Sequence, residues 1–347
     1  MTDYRIDSEK LSFQPIRVAQ WLTDKDHWDS AKNIFPLYVE LSPVGACNHQ
    51  CTFCSVDYVL EANAAMDKMP QLDAGILAER FQEMASLGVK SIMLAGDGEP
   101  LLHKQINKIV RSAKDAGLDV AFTTNGVLLD KLDLEPVSWV KVSLNAGTRE
   151  TYAAVHRTKP QDFDRVVKNL EGAVKRKGSC TIGCQMVLIP ENQHEVETLE
   201  VIGARIGLDY VVVKPYMQHS FSVKPQYEKF IPIVPAQAGK LVVRQKSLET
   251  KEAPYSKCQA TPYMWAYVAS TGDVYSCSAF LLDDKFNLGN IHRQTFKEIW
   301  HGEKRKANWH HVRETLDIKD CKVNCRMNRV NIYLTQVLEG VPHATFI

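Results

Sequence analysis

Apolar and polar positions follow two different periods along the first 220 residues. Short apolar runs of strand length alternate with segments in which apolar residues recur at helical spacing. After Asp73, which suits a helix cap, Ile76, Leu77, Phe81 and Met84 fall on one helical face. Strands are predicted at 37–41, 91–95, 119–123, 139–144, 180–189 and 209–214, with helices between them. This alternation predicts an α/β fold with a parallel sheet, and periodicity alone fits either a partial barrel or a doubly wound open sheet.

The pattern changes in the last third of the chain. Apolar runs at 264–268 and 274–276 flank a Ser-Thr-Gly-Asp turn, which predicts a β-hairpin. We therefore expect an N-terminal extension, a main domain, a linker, a small C-terminal domain and a tail. Their predicted bounds are 1–36, 37–220, 221–257, 258–330 and 331–347.

Composition narrows the classes of protein. The chain has 347 residues, 45% of them hydrophobic, and its 42 basic and 41 acidic residues give a net charge of +1. No Lys/Arg block suggests a nucleic-acid partner, and no apolar stretch approaches the roughly 18 residues of a membrane span. We expect a cytoplasmic protein without a membrane partner. In that compartment the nine cysteines are expected to be metal ligands more often than disulfides.

Three cysteines follow the first predicted strand in the spacing C-x3-C-x2-C: Cys47, Cys51 and Cys54. Structural zinc prefers four protein ligands, whereas the next cysteine here is Cys180. Three thiolates instead suit a 4Fe-4S cluster with one open iron, although a zinc or redox-thiol site is the alternative. With Phe53 directly before the third cysteine, the run resembles the signature of the radical S-adenosylmethionine (SAM) superfamily. The resemblance implies a partial (β/α)6 barrel, SAM bound at the open iron, and Phe53 beside the cofactor.

Two turns at predicted strand ends carry the same resemblance. The segment Gly96-Asp97-Gly98-Glu99 resembles the GGEP motif of that superfamily, which implies that its backbone approaches the SAM ammonium and that Glu99 accepts a hydrogen bond from it. The pair Thr124-Asn125 resembles the TNG turn of the family. Ordinary turns are the alternative for both segments.

Later strand ends offer further SAM contacts by resemblance. Ser143 and Asn145 resemble the segment that binds the SAM ribose, although many relatives carry Asp at the second position. Arg157 stands where relatives often place an arginine on the SAM carboxylate, and a solvated helix-end arginine is the alternative. Gln185 would point into the barrel if Cys184 points out of it.

A second group of cysteines lies in the C-terminal third. The spacing Cys258-x13-Gly272-x4-Cys277 resembles the opening of the SPASM/twitch motif, and Cys321 and Cys325 supply two more thiols. Four cysteines in this order imply one auxiliary 4Fe-4S cluster. A four-thiolate zinc site is the alternative.

The resemblance implies a 5′-deoxyadenosyl radical that abstracts hydrogen from a substrate C–H bond, with an electron donor such as flavodoxin or ferredoxin. We expect a small polar substrate (aminocyclitol, sugar or nucleoside) and oxidation of an alcohol to a ketone. The alternatives are an epimerase that uses Cys180 or Cys184 as hydrogen donor, a peptide-modifying enzyme, and a non-enzymatic iron-sulfur carrier or sensor. Small buried hydrophobes are the alternative role for those two cysteines.

Overall fold

The structure is a computed structural model that describes residues 10–216, 221–223, 241–243, 255–321 and 325–345. Most of the predicted linker, 221–257, lies outside the described residues. Within the described ranges, no helix is both long enough and apolar enough to cross a membrane.

One mostly parallel sheet organises the described part of the chain. Its strands are β1 (Tyr38–Leu41), β2 (Ser91–Leu94), β3 (Asp119–Thr124), β4 (Trp139–Ser143), β5 (Thr181–Leu188), β6 (Tyr210–Pro215), β7 (Leu241–Val243), β8 (Trp265–Val268), β9 (Asp273–Tyr275) and β10 (Asn287–Asn290). Strands β1 to β6 pair in chain order and in parallel, as the sequence predicts. The predicted α/β class with a partial (β/α)6 barrel is confirmed.

Two additions to the sheet were not predicted. Strand β7, inside the predicted linker, pairs in parallel with β6. Strand β8 begins the predicted hairpin, which β9 completes in antiparallel pairing. The same β8 also pairs in parallel with β1, so the C-terminal hairpin belongs to the main sheet.

The helices of the described residues pack around this sheet. They are α1 (Pro15–Asp24), α2 (Trp28–Ala31), α3 (Asp57–Ala64), α4 (Ala74–Ser86), α5 (Ile106–Asp115), α6 (Arg149–His156), α7 (Pro160–Arg176), α8 (Val196–Ile206), α9 (Phe296–His301), α10 (Glu303–His310) and α11 (Asn328–Glu339). Asp73 caps α4 as predicted, because its carboxylate accepts hydrogen bonds from the backbone N–H groups of Gly75 and Ile76. Pro160 begins α7, where a missing N–H costs nothing.

Alternation along the strands separates two faces. Outward residues such as Leu94, Phe122 and Val142 pack with α4 to α8 in the main apolar core. Their neighbours Met93 and Ala121 belong to a separate small cluster on the opposite, inner face of the sheet. The inner face is therefore the one free to carry polar chemistry.

The two ends of the chain pack together. Trp21 of α1 lies in one apolar cluster with Tyr263, Trp309 and Leu334 of α11. The predicted extension and tail thus share a core with the C-terminal domain, and α11 runs across the predicted boundary at residue 330.

Candidate active site

The cysteine loop follows β1 and is held by the end of α6. The backbone N–H of Gln50 donates to the His156 carbonyl at 3.1 Å, and that of Thr52 donates to the Val155 carbonyl at 2.8 Å. Cys47 is exposed, whereas Cys51 and Cys54 are half-buried, and none of the three forms a disulfide. Three thiols on one anchored loop fit the predicted three-cysteine cluster site.

Two histidines that the sequence reasoning missed lie against this loop. His156 Nδ1 is 3.1 Å from the Cys51 sulfur, and His156 Nε2 is 3.1 Å from the Leu144 carbonyl oxygen. Burial lowers the pKa of His156 to about 3. His49 is buried next to it, with ring centroids 5.1 Å apart. In the sequence, only the position of His49 between Cys47 and Cys51 indicated that a histidine would lie at this site.

The glycines of the 96–99 turn allow close packing that the sequence did not predict, and their expected approach to SAM stays a prediction. A Cβ at Gly98 would lie 2.1 Å from the Val44 carbonyl oxygen and 2.5 Å from that of Ala46. Gly96 has φ +114°, and a Cβ there would lie 2.4 Å from the Ser42 side chain. A Cβ at Gly96 would also lie 2.8 Å from the Tyr267 hydroxyl, so the two glycines allow the turn to pack against the segment leading into Cys47 and against β8.

The Asp97 carboxylate is fully used within the protein, and the predicted approach of the backbone of this turn to SAM stays a prediction. The side chain is fully buried and accepts hydrogen bonds from Asn63 Nδ2 (2.9 Å), the Tyr267 hydroxyl (3.0 Å) and the Ser270 hydroxyl (2.8 Å). Burial and the neighbouring Asp97 raise the pKa of Tyr267 well above its usual value. Asp97 thus ties the turn after β2 to α3 and to the C-terminal hairpin.

Glu99 links the two turns that were predicted separately. Its carboxylate accepts from the Thr124 hydroxyl at 2.6 Å and from the backbone N–H groups of Asn125 (2.7 Å) and Leu101 (3.1 Å). Burial raises the pKa of Glu99 above its usual range, although these hydrogen bonds oppose the shift. Asn125 Nδ2 in turn donates to Asn48 Oδ1 at 2.7 Å on the cysteine loop. Hydrogen bonds therefore connect the cysteine loop with the turns after β2 and β3, at the C-terminal ends of these parallel strands.

Unpartnered polar atoms lie at the end of β4 and on the part of β5 beside it. Asn145, at φ 55°, accepts from the Val187 N–H at 2.8 Å, while its buried Nδ2 has no hydrogen-bond partner among the described residues. Gln185 Nε2 donates to the Ser143 hydroxyl at 2.8 Å, and the buried Gln185 Oε1 is likewise without a partner in the described part of the chain. One donor and one acceptor left open beside the end of β4 fit a polar ligand such as the SAM ribose.

Arg157 and Phe53 lie near these strand ends. Arg157 is exposed and adopts φ 49° directly after α6. Phe53 meets the His156 ring edge-on, with centroids 5.6 Å apart. Their roles as cofactor contacts stay predictions.

Cys180 and Cys184 lie on the helix side of the sheet, which corrects their assignment as inward-facing hydrogen donors. Both belong to the main apolar core. Burial raises the pKa of Cys180 to about 11 and that of Cys184 to about 12. Gln185 follows Cys184 along β5 and therefore points to the opposite face of the sheet. Because Cys184 points outward, Gln185 faces inward, as predicted for that arrangement.

The four C-terminal cysteines converge. The pKa of the buried Cys277 is raised well above its usual value, first by burial and then by the nearby thiolates of Cys325, Cys258 and Cys321. Three of the sulfurs accept hydrogen bonds, from Ala279 N–H (3.4 Å), Met327 N–H (3.3 Å) and Asn331 Nδ2 (3.6 Å). Convergent thiols with N–H donors aimed at sulfur fit an iron-sulfur cluster site.

An ion pair joins this second site to the inner face of the sheet. Arg326 directly follows Cys325 and pairs with Glu40, a buried residue of β1. Its guanidinium also donates to the Tyr38 hydroxyl at 3.3 Å and lies 5.9 Å from the Trp265 ring centroid. The C-terminal cysteines are thus next to the inner wall of the barrel.

Comparisons with known proteins agree with this arrangement. Residues 41–202 match the family model of the Radical SAM superfamily, and residues 258–326 match that of SPASM, an iron-sulfur cluster-binding domain. The chain therefore carries a Radical SAM domain followed by a SPASM-type iron-sulfur cluster-binding domain. Its cofactors are SAM, the radical SAM 4Fe-4S cluster and an auxiliary 4Fe-4S cluster.

Curated relatives cover the barrel half. A probable GTP 3′,8-cyclase from Saccharolobus islandicus is 31% identical over 170 residues, which are 48% of this chain and 52% of the relative. Another, from Metallosphaera sedula, is 32% identical over 168 residues, 47% of this chain and 50% of the relative. The chain thus spans about half the length of the curated relatives it matches.

Solved structures resemble the whole fold. SuiB from Streptococcus suis bound to SAM aligns with 99% of this chain and 81% of its own, at 16% identity and a TM-score of 0.62. Native anSMEcpe with bound SAM aligns with 88% of this chain and 100% of its own, at 17% identity and a TM-score of 0.55. At these identities the likeness is one of fold.

Proposed function

We propose that this radical SAM enzyme oxidises an alcohol carbon of a small polar substrate, an aminocyclitol, sugar or nucleoside, to a ketone. The observation that supports it is the contact of Arg326, next to the auxiliary ligand Cys325, with Glu40 on the inner face. A substrate on that face would lie between SAM at the strand ends and the auxiliary cysteines.

The proposed chemistry balances as a two-electron oxidation. When bound, SAM and its cluster supply a 5′-deoxyadenosyl radical, and the auxiliary cluster supplies an electron acceptor. The substrate carbon gives up one hydrogen atom, and the resulting radical then gives up one electron and its hydroxyl proton to become a ketone. The first electron would come from an external donor such as flavodoxin or ferredoxin.

Polar side chains on the inner face suit a substrate rich in hydroxyl or amino groups. Glu40 and Gln185 alternate with core residues and so face inward, as do Lys141 and Lys214. Lys141 Nζ lies 5.7 Å from the Trp139 ring centroid on the same strand. We propose that these groups orient the substrate carbon and contribute no bond-breaking step.

The placement of Cys180 and Cys184 favours oxidation over epimerisation. A radical epimerase needs a thiol that returns a hydrogen atom to the substrate, and both candidate thiols lie in the core behind the sheet. A substrate radical on the inner face would be separated from them by the strand itself.

A peptide substrate is the second candidate. SuiB has been solved bound to the precursor peptide SuiA, and anSMEcpe with the peptide Cp18Cys. The name GTP 3′,8-cyclase of the curated relatives instead points to a nucleotide. The shared fold is compatible with a peptide and with a nucleotide, and the assay described next distinguishes the substrate classes.

The test is an anaerobic assay of the reconstituted enzyme with SAM, a reductant and panels of aminocyclitols, sugars, nucleosides and short peptides in deuterated water. We expect one ketone per 5′-deoxyadenosine with a small-molecule substrate. Arg326→Lys should lower product per 5′-deoxyadenosine, while Cys184→Ala should not. A redox-neutral product carrying solvent deuterium, or turnover with peptides alone, would overturn the proposal.

A further inference from the structure

The cysteine loop brings together a second set of metal-binding atoms, which shares only the Cys51 sulfur with the three thiols of the cluster motif. One ring nitrogen each of His49 and His156 and the Cys51 sulfur all lie within 4.8 Å of one another. Tetrahedral zinc with Zn–S near 2.3 Å and Zn–N near 2.0 Å separates its ligand atoms by roughly 3.5 Å. The His156 Nδ1 to Cys51 sulfur distance of 3.1 Å is close to that value.

Hydrogen bonding fixes which nitrogen of His156 faces the sulfur as a lone pair. The Leu144 carbonyl oxygen, 3.1 Å from Nε2, can only accept, so Nε2 carries the hydrogen. Nδ1 of the neutral ring then presents its lone pair toward Cys51. A histidine that donates one N–H to a backbone carbonyl and offers the other nitrogen is the arrangement found in metal sites.

His49 supplies an independent observation. Its side chain is 3% exposed, and neither ring nitrogen has a hydrogen-bond partner among the described residues. Leaving a buried polar group unpaired costs free energy, so such a group calls for an explanation. A cation between His49 and its two neighbours would satisfy one of these nitrogens.

We propose that the cluster-free chain binds one divalent cation of the zinc class through His49, Cys51 and His156. Two imidazoles and one thiolate suit zinc among the common divalent ions, and a water can take the fourth position on the half-exposed side of Cys51. The Cys51 thiol loses its proton to solvent when the ion binds. Because Cys51 also belongs to the cluster motif, ion and cluster exclude each other at this loop.

Cobalt(II) is the probe, added under anaerobic reducing conditions to the full-length chain after both clusters have been removed by chelation. The four C-terminal thiols should take a second cobalt, so we expect two ions per chain. The cobalt at the loop should show weaker sulfur-to-metal charge transfer than the four-thiolate site, because it has a single thiolate.

Variants separate this site from the cluster motif. Cys47→Ala should prevent assembly of the radical SAM cluster yet keep two cobalt ions, whereas Cys51→Ala should keep one. His156→Ala and His49→Ala should weaken the loop site at least tenfold, and His103→Ala, a buried histidine elsewhere, is the matched control with two ions.

Three results would overturn the proposal. They are one cobalt in the unmutated chain, loss of the loop cobalt in Cys47→Ala with retention in His156→Ala, and cobalt bound at the loop beside an assembled cluster. The Cys47→Ala variant keeps both histidines, so its cobalt content tests the proposal even if a histidine variant fails to fold.

Discussion

The two cysteine sites are built in opposite ways. Cys47, Cys51 and Cys54 lie within eight residues on one loop, at the surface end of the sheet. The auxiliary cysteines span 258–325, include the buried Cys277, and meet only when the hairpin, the segment before α11 and α11 itself have packed. The first site is encoded locally, whereas the second is a product of the C-terminal fold.

This difference predicts unequal consequences for stability. A loop thiol can be lost without exposing core, because Cys47 is exposed and its two companions are half-buried. Removing Cys277 disturbs an apolar cluster that includes Phe286 and Val312. The two regions are also joined, through Asp97 and through the Glu40–Arg326 pair, so the comparison can be tested at the connections as well as at the sites.

The largest effect is expected from removing each site in turn. Replacing Cys47, Cys51 and Cys54 together by Ala should leave about half the iron, abolish 5′-deoxyadenosine formation and keep the thermal midpoint of the cluster-free chain. Cys277→Ala should also halve the iron but lower that midpoint by several degrees. Iron analysis and thermal unfolding check both, and equal midpoints would contradict the comparison.

Breaking the connection at Asp97 comes next. Asp97→Ala leaves three buried donors, on Asn63, Tyr267 and Ser270, without their acceptor, which we expect to cost about 3 kcal/mol of unfolding free energy. Ser270→Ala removes one donor and should cost about 1 kcal/mol. Urea unfolding measures both variants. A cost below that of Ser270→Ala would show that Asp97 does not join the regions.

Two buried glutamates should give opposite pH dependence. Burial raises the folded-state pKa of Glu99, so its contribution to stability is present below the unfolded pKa near 4.5 and is lost as pH rises. At Glu195, burial also raises the pKa, but hydrogen bonds from Thr148, Thr151 and Gly147 outweigh it and lower the pKa overall. That contribution is present above the unfolded pKa and is lost as pH falls.

The measurement is urea unfolding of Glu99→Gln and Glu195→Gln between about pH 4 and pH 7. The unfolding free energy of the unmutated protein should fall relative to Glu99→Gln as pH rises, and should fall relative to Glu195→Gln as pH drops. SAM binding to Glu99→Gln tests the original assignment separately, because unchanged affinity would leave Glu99 as a link between two turns. Slopes of the same sign would contradict the two environments.

The smallest effect is expected at Cys184. Cys184→Ala removes one buried sulfur from the core and should cost about 1 kcal/mol without changing 5′-deoxyadenosine or product yield. Loss of product with continued 5′-deoxyadenosine formation would restore the thiol as a hydrogen donor.

Hydrophobic periodicity and capping residues predicted the individual strands and helices of the main domain. The strand containing Ile92 and the helix capped by Asp73 appear within one or two residues of their predicted ends, because periodicity and capping depend on neighbours in sequence. The pairing of β8 with β1 was not predicted, because the residues near β8 in the sequence do not determine which strand β8 pairs with.

The candidate site divides in the same way. The cysteine triad and the turn residues could be predicted as candidate site residues because each group lies within a short stretch of sequence. The Asp97 partners on β8 and the contact of His156 with Cys51 were not, since both join residues far apart in sequence. For Asp97 the motif did not predict any carboxylate partner, because the hydrogen bonds of a carboxylate depend on which donors the fold brings to it.

The pairing of β1 with β8 has a consequence for synthesis on the ribosome. β1 is translated well before β8, so one of its two edges has to wait for that later strand. Until then the nascent chain carries an open edge directly before the cysteine loop, and such edges invite mispairing with other chains.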